Sequence, residues 1–299
     1  MALSTEQIDR YRADGVVLVP KLLAAADLAP LQTEIEAWID GRARELRAQG
    51  HLDELFERAS FERRFACLYE ASGGWIAAGL DVHLMRGPAL FDFLRSDALL
   101  DAVESLVGPE IVLNPVHHLR AKLPQRLVGE LVETYFNVPW HQDSGVLWEE
   151  ADPVPIVGAW IPLVDATKRN GCMEVMPGVA AGGHLPHQAA GGTTIVPEAL
   201  PAVEARTLEC PRGGAIFQSK FTPHRSTPNE TEGVRWSLDV RYQPAGTPTG
   251  RPFHPAFLVR SACTPEAVVR DHAAWDAAWR KALAALEGKP APRAHRVVR

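Results

Sequence analysis

Between Val234 and Tyr242 the chain reads VRWSLDVRY, and its side chains sort by parity. Val234, Trp236, Leu238, Val240 and Tyr242 fall on one face of an extended segment, and Arg235, Ser237, Asp239 and Arg241 on the other. A period of two sustained this long belongs to a strand, not a helix. The same alternation, with Gly and Pro between runs, continues from about residue 109 to 245. It predicts a mostly antiparallel β core. In IVLNPVHHLRAKL, Asn114, His118, Arg120 and Lys122 share one face, opposite Ile111, Leu113, Leu119, Ala121 and Leu123. Faces this polar allow two architectures. One is a solvated outer surface; the other is a polar cavity inside a barrel-like sandwich, with helices covering the apolar faces.

The flanks supply such helices. Ser4 and Gln7 have capping-box spacing ahead of a short helix that Gly15 can end, and VVLVP follows as a strand. Asp27 is expected to open a long amphipathic helix carrying Leu28, Leu31, Ile35 and Trp38 on one side. The chain reads mainly helical to about residue 108, including a charged run from Glu54 to Arg64 expected to be a solvated helix face. A further helix is expected in TPEAVVRDHAAWDAAWRKALAAL, followed by a loose Pro- and Arg-rich tail. With 299 residues and 46% hydrophobic content, one domain spanning 1–299 is expected: helices to about 108, β core to about 245, then a helix and tail.

A net charge of −6 with scattered Lys and Arg leaves no basic stripe for nucleic acid and no polybasic membrane patch. The four cysteines, Cys67, Cys172, Cys210 and Cys263, form no Cys-x-x-Cys pair. Reduced thiols in a cytoplasmic protein, monomer or homodimer, are expected, with no membrane partner.

His141-Gln142-Asp143 is one of two His-x-Asp triplets; the other is His51-Leu52-Asp53 in the charged run. In a helix, residues two apart point to different faces, so the latter pair reads as a solvated helix start. In an extended segment they project together, so His141 and Asp143 can share an ion. His224, after the apolar run GAIFQ, is the candidate third ligand. Two histidines and one carboxylate leave positions open, as suits non-haem Fe(II) and O2, with zinc the competitor. Eleven residues beyond His224, Arg235 stands on the polar face of the next strand, where its fork can hold the far carboxylate of a dicarboxylate cosubstrate. Ser226 and Ser237 can add hydroxyl hydrogen bonds.

PWHQD, GAWIPLVDATKRNGCMEVMPG and HRSTPNETEGVRWSLDVRYQP resemble the phytanoyl-CoA dioxygenase (PhyH) family of Fe(II)- and 2-oxoglutarate-dependent oxygenases. The resemblance runs from about residue 110 to 244, with an echo in DGVVLVPKLL. It implies a double-stranded β-helix (a jelly-roll, cupin-like core) packed against N- and C-terminal helices. It implies iron on His141, Asp143 and His224, and 2-oxoglutarate chelating the metal with its far carboxylate on Arg235. Lys122 and Ser226 match positions that help in that pocket, and Trp160 would line it. The PGVAAGGHLPH stretch departs from the family's Ser-His continuation, so His184 and its loop are expected to be displaced.

The implied reaction oxidises a C–H bond of a small-molecule substrate while 2-oxoglutarate and O2 yield succinate and CO2. Because Asp143 is present, hydroxylation is expected over halogenation. A free acid or natural-product intermediate is favoured over a CoA thioester, since no basic cluster for CoA phosphates stands out. Two competitors are a zinc hydrolase on the same ligands and a non-catalytic binding module. Of the remaining histidines, His118 faces the Lys122 side, and His184 and His187 read as part of a surface loop. Among the tryptophans beyond Trp160, Trp148 is the candidate substrate platform and the others read as packing.

Overall fold

The computed structural model of the protein describes residues 2–80, 85–128, 137–190, 192–290, 292 and 295–298. Its helices are α1 (Thr5–Asp14), α2 (Ala25–Ala48), α3 (Phe61–Ala71), α4 (Pro88–Leu94), α5 (Asp97–Val107), α6 (Gln125–Val128) and α7 (His272–Leu286). Its strands are β1 (Val16–Val19), β2 (Ile111–Leu113), β3 (His118–Lys122), β4 (Val157–Pro162), β5 (Met173–Val175) and β6 (His187–Ala189). They continue with β7 (Thr193–Ile195), β8 (Arg206–Leu208), β9 (Ala215–Ser219), β10 (His224–Ser226), β11 (Arg235–Pro244) and β12 (Phe257–Arg260).

A seven-stranded antiparallel sheet runs β1-β9-β4-β11-β2-β12, with β3 also on β11. A smaller sheet, β10-β5-β8, faces it, and β6-β7 form a hairpin. Together they make a jelly-roll core with flanking helices. The ten-residue β11 is its spine: it pairs β4 along one edge and β3, then β2, along the other. Parity on β11 therefore decides which side chain meets which layer.

The apolar parity packs under the helices. Val234, Trp236, Leu238, Val240 and Tyr242 are buried in one cluster with Leu28, Leu31 and Ile35 of α2 and Phe65 of α3. Trp236 stacks on Phe61 and meets Phe65 edge-on. The polar parity is buried too: Arg235, Ser237, Asp239 and Arg241 are each at most 7% exposed. The solvated-face alternative is thereby excluded, and these groups look into the space between the sheets.

The Ser4–Gln7 capping box and the left-handed Gly15 C-cap bracket α1 as expected. Helix α2 starts two residues before Asp27, which sits in its first turn and accepts from the Ala24 N–H at 2.7 Å. The charged run is helical only from Phe61; His51–Ser60 is irregular, with His51 stacked on Trp75 at 5.5 Å. Leu52 and Leu55 are nonetheless buried in the main apolar cluster, so this stretch is pinned to the core without a helical backbone. The tail is not loose at His295–Val298, which bonds to the chain near the metal-ligand candidates. Among the described residues, no helix is long and apolar enough to cross a membrane.

Candidate active site

Pro139 to Asp143 runs extended past β10. His141 N–H donates to the His224 carbonyl at 3.0 Å, and His224 N–H returns the bond at 2.9 Å. This bridge lays the two imidazoles side by side, ring centres 4.1 Å apart. Gln142 is extended (φ −118°, ψ 146°), so Asp143 projects to the same side as His141 before the chain turns into a 3-10 segment. One ligand atom from each of His141, Asp143 and His224 lies within 4.8 Å of the others.

Each histidine donates its Nδ1–H to a carbonyl two residues earlier, His141 to Pro139 at 2.9 Å and His224 to Thr222 at 2.9 Å. That fixes the tautomer and leaves both Nε2 lone pairs for an ion. Burial, helped by His224, pushes the His141 pKa down to about 3, and burial also lowers that of His224. Both rings are therefore neutral ligands at physiological pH. Burial would raise the Asp143 carboxyl, but Arg241 outweighs it and holds the group well below the usual carboxylate range.

Arg241 is the residue the sequence reading left without a role. Its Nη2 donates to Asp143 Oδ1 and, at 3.1 Å, to Asp239 Oδ2, while Nη1 donates to the Val116 carbonyl at 3.0 Å. Gln218 was missed as well. Its Nε2 donates to His224 Nε2 at 3.0 Å and to Asp143 Oδ2 at 3.4 Å, while its buried Oε1 has no partner. The Gln218 amide thus points an N–H at the focus of the His224 and Asp143 acceptors while its own oxygen is orphaned, which marks the place a cation fits. Gly158 keeps that place open, since a Cβ there would lie 2.9 Å from Asp143 Oδ2. Parity could have pointed to Arg241; no sequence signal points to Gly158.

A cavity of about 500 Å³, open mouth included, reaches from these ligands to Arg235. Lys122, Trp160, Ser226 and Arg235 line it with His141 and His224; Ser237 lies behind and accepts from Arg235 Nη1 at 2.5 Å. The guanidinium also donates to Gly171 O at 3.1 Å and lies 5.1 Å from the Trp160 ring centre. Lys122 Nζ donates to Ser226 Oγ at 3.0 Å and Asn137 Oδ1 at 3.0 Å. Gly171, at φ +92°, leaves the space that the Lys122 stem fills. Among the described residues no carboxylate pairs with Arg235. Burial and nearby Arg120 lower its pKa to about 9, and burial together with Arg235 lowers that of Lys122 to about 7. Arg235 and Lys122, crowded together with Arg120 also on the cavity wall, fit an anionic ligand such as a dianion.

Three expectations need correction. Trp148 does not line the cavity but packs near Phe253, because its residue follows the turn after Asp143. His187 is fully buried, not on a surface loop: its Nε2 accepts from the Gln142 N–H at 3.1 Å, bracing the ligand segment from behind. His184, half-buried, stacks on His187 at 4.8 Å and bonds Ser144 Oγ at 2.8 Å. His118 is paired with Asp239 across the strands but is not part of the cavity lining.

The chain is thus of the jelly-roll class, with two histidines and a carboxylate gathered at one end of a buried cationic pocket where an ion could be held. The phytanoyl-CoA dioxygenase (PhyH) family model matches residues 11–237, and the chain belongs to that family. A probable phytanoyl-CoA dioxygenase of Caenorhabditis elegans is 29% identical over 52% of this chain and 51% of its own length. The chain thus spans about half the length of that relative. Among solved structures, the nickel complex of the non-heme monooxygenase ThoJ superposes with TM-score 0.57 at 21% identity, covering 93% of this chain and 94% of that one. The epimerase SnoN, in complex with Fe3+, alpha ketoglutarate and nogalamycin RO, does so with TM-score 0.52 at 20% identity, covering 98% and 94%.

Proposed function

We propose that the protein is a non-haem Fe(II)- and 2-oxoglutarate-dependent dioxygenase that hydroxylates, or otherwise oxidises, an unactivated C–H bond of a small molecule, releasing succinate and CO2. One observation carries the reading: a two-histidine, one-carboxylate cluster shares its cavity with a buried arginine that no carboxylate neutralises among the described residues. Membership of the PhyH family and the SnoN and ThoJ complexes support it.

On this reading His141, Asp143 and His224 would hold the metal, and Arg235 the far carboxylate of 2-oxoglutarate. When bound, Fe(II) and 2-oxoglutarate supply the O2 activation that amino-acid side chains lack. The protein's own part is placement. The carbonyls of Pro139 and Thr222 aim the two imidazoles, and Arg241 keeps Asp143 ionised and engages one of its oxygens. Ser237 steadies the Arg235 fork, Lys122 and Ser226 add donors beside it, and Trp160 excludes water from that wall. A zinc hydrolase on the same ligands would have no use for Arg235, and a retired binding module no use for the full ligand set.

The test is an anaerobic titration with Fe(II) and 2-oxoglutarate, following the visible charge-transfer band of the chelate. Removing one partner of a buried, charge-assisted pair costs about 2–5 kcal/mol, so Arg235→Ala is expected to weaken 2-oxoglutarate roughly 30-fold or more. A band absent from Fe(II)-loaded protein, or an unchanged affinity in the variant, refutes the proposal. Stoichiometric zinc with activity retained without O2 would favour the hydrolase.

A further inference from the structure

Asp239 lies on the polar face of β11 between Ser237 and Arg241, beyond the residues that the family model matches. Its backbone is paired on both sides, with Trp160 of β4 and His118 of β3, so the side chain cannot be carried away by strand movement. It is 7% exposed and lines the cavity beside His141 and His224. One carboxylate oxygen, Oδ2, accepts from Arg241 at 3.1 Å. The other, Oδ1, is buried without a hydrogen-bond partner. Buried carboxylate oxygens are ordinarily satisfied, so an orphan on a cavity wall marks a place for a donor that arrives with the ligand.

The place along the strand says which ligand. Arg235, the anchor for 2-oxoglutarate, sits four residues earlier on the same face, roughly 13 Å back at strand rise. Arg241, two residues later, grips Asp143. Asp239 is thus at the metal end of the cavity, away from the cosubstrate anchor, where the substrate bond to be oxidised must lie.

We propose that Asp239 is a specificity-determining residue whose free oxygen accepts a hydrogen bond from an N–H or O–H group of the substrate, so that the enzyme takes polar substrates with an amine or hydroxyl near the oxidised carbon. This rests on the dioxygenase reading above. It sets aside wholly apolar acyl chains as substrates.

The test uses Zn(II)- and 2-oxoglutarate-loaded protein, which is redox-inert, and saturation-transfer NMR against a library of several hundred small polar and apolar fragments. Wild type, Asp239→Asn and Asp239→Leu are compared, with Zn(II) and 2-oxoglutarate affinities measured on each by calorimetry. Fragments bearing amines or hydroxyls are expected to dominate the Asp239-dependent hits and to lose tenfold or more in affinity in Asp239→Leu. Asp239→Asn separates the two donors: its amide oxygen must face the Arg241 guanidinium, which leaves the NH2 at the free position, so ammonium fragments are lost while hydroxyl fragments, which can turn to accept from that NH2, persist. A hit set unchanged by Asp239→Asn and Asp239→Leu, the absence of any Asp239-dependent hit, or dependence shown equally by donor-free fragments overturns the proposal. If wild type binds neither Zn(II) nor 2-oxoglutarate, the dioxygenase reading itself has failed, and calorimetry shows that before any fragment is added.

Discussion

At the scale of single residues, the site is a chain of electrostatic dependencies. Arg241 is shared between two buried carboxylates, and Asp143 is 1% exposed. Stripping one partner from a buried ion pair costs about 3–5 kcal/mol, because the remaining charge is left without compensation. Arg241→Met is therefore expected to lower the metal-free unfolding free energy by about that amount, and urea denaturation measures it. An unchanged midpoint would show that Asp143 needs no clamp. Lys122 gives a pH signature. Burial beside Arg235 lowers its pKa to about 7, so the protonated form that attracts a dianion is complete below pH 7 and lost as the pH rises through it. Affinity for 2-oxoglutarate should accordingly fall between about pH 7 and 8 in wild type, below the Arg235 range, and lose that slope in Lys122→Met, as read by calorimetry in buffers of matched ionic strength. The His-x-Asp pair, His224, Arg235 and the polar parity were legible in the sequence because each is a side-chain identity at a countable spacing. Gln218 and Gly158 were not, since their roles depend on what lies opposite them across a sheet.

Secondary-structure elements divide the labour unevenly. Helix α1 was legible to the residue because its caps are local, Ser4 and Gln7 at one end and Gly15 at the other. The stretch before Phe61 was misjudged because Leu52, Leu55 and Phe56 have helical spacing yet are held on the core by an irregular backbone. The tail was misjudged for the opposite reason: its composition reads as unstructured, yet its partners are far away in sequence. Arg296 N–H donates to Gly145 O at 2.8 Å and Val298 N–H to His187 O at 2.7 Å, while the Arg296 guanidinium grips Asp152 at 2.6 and 3.1 Å. These bonds brace the turn that follows Asp143 and the histidine that backs Gln142. Deleting residues 292–299 should cost on the order of 1–2 kcal/mol of stability and weaken Co(II) binding severalfold, measured by thermal melts and metal titration. Retained Co(II) affinity in the truncated protein would show that the ligand segment holds itself.

Across the molecule as a whole, the same strand faces two media. One parity of β11 joins the large apolar cluster beneath α2 and α3, and the other lines the cavity with Arg235 and Asp239 and clamps Asp143 through Arg241. That two-sidedness was readable in VRWSLDVRY, though not which side would be wet, because only the facing sheet β10-β5-β8 and the covering helices decide it. A consequence follows for how the protein meets its ligands. Because Arg235 and Arg241 ride on one continuous strand paired with β3 and β4, the backbone spacing between the proposed cosubstrate anchor and the clamp on Asp143 is set before anything binds, like graduations on a rule. No hinge lies between them to adjust it. On the proposed reading, the cosubstrate therefore meets a spacing fixed by the strand, and any gating falls to the loops around the rim, leaving that spacing unchanged.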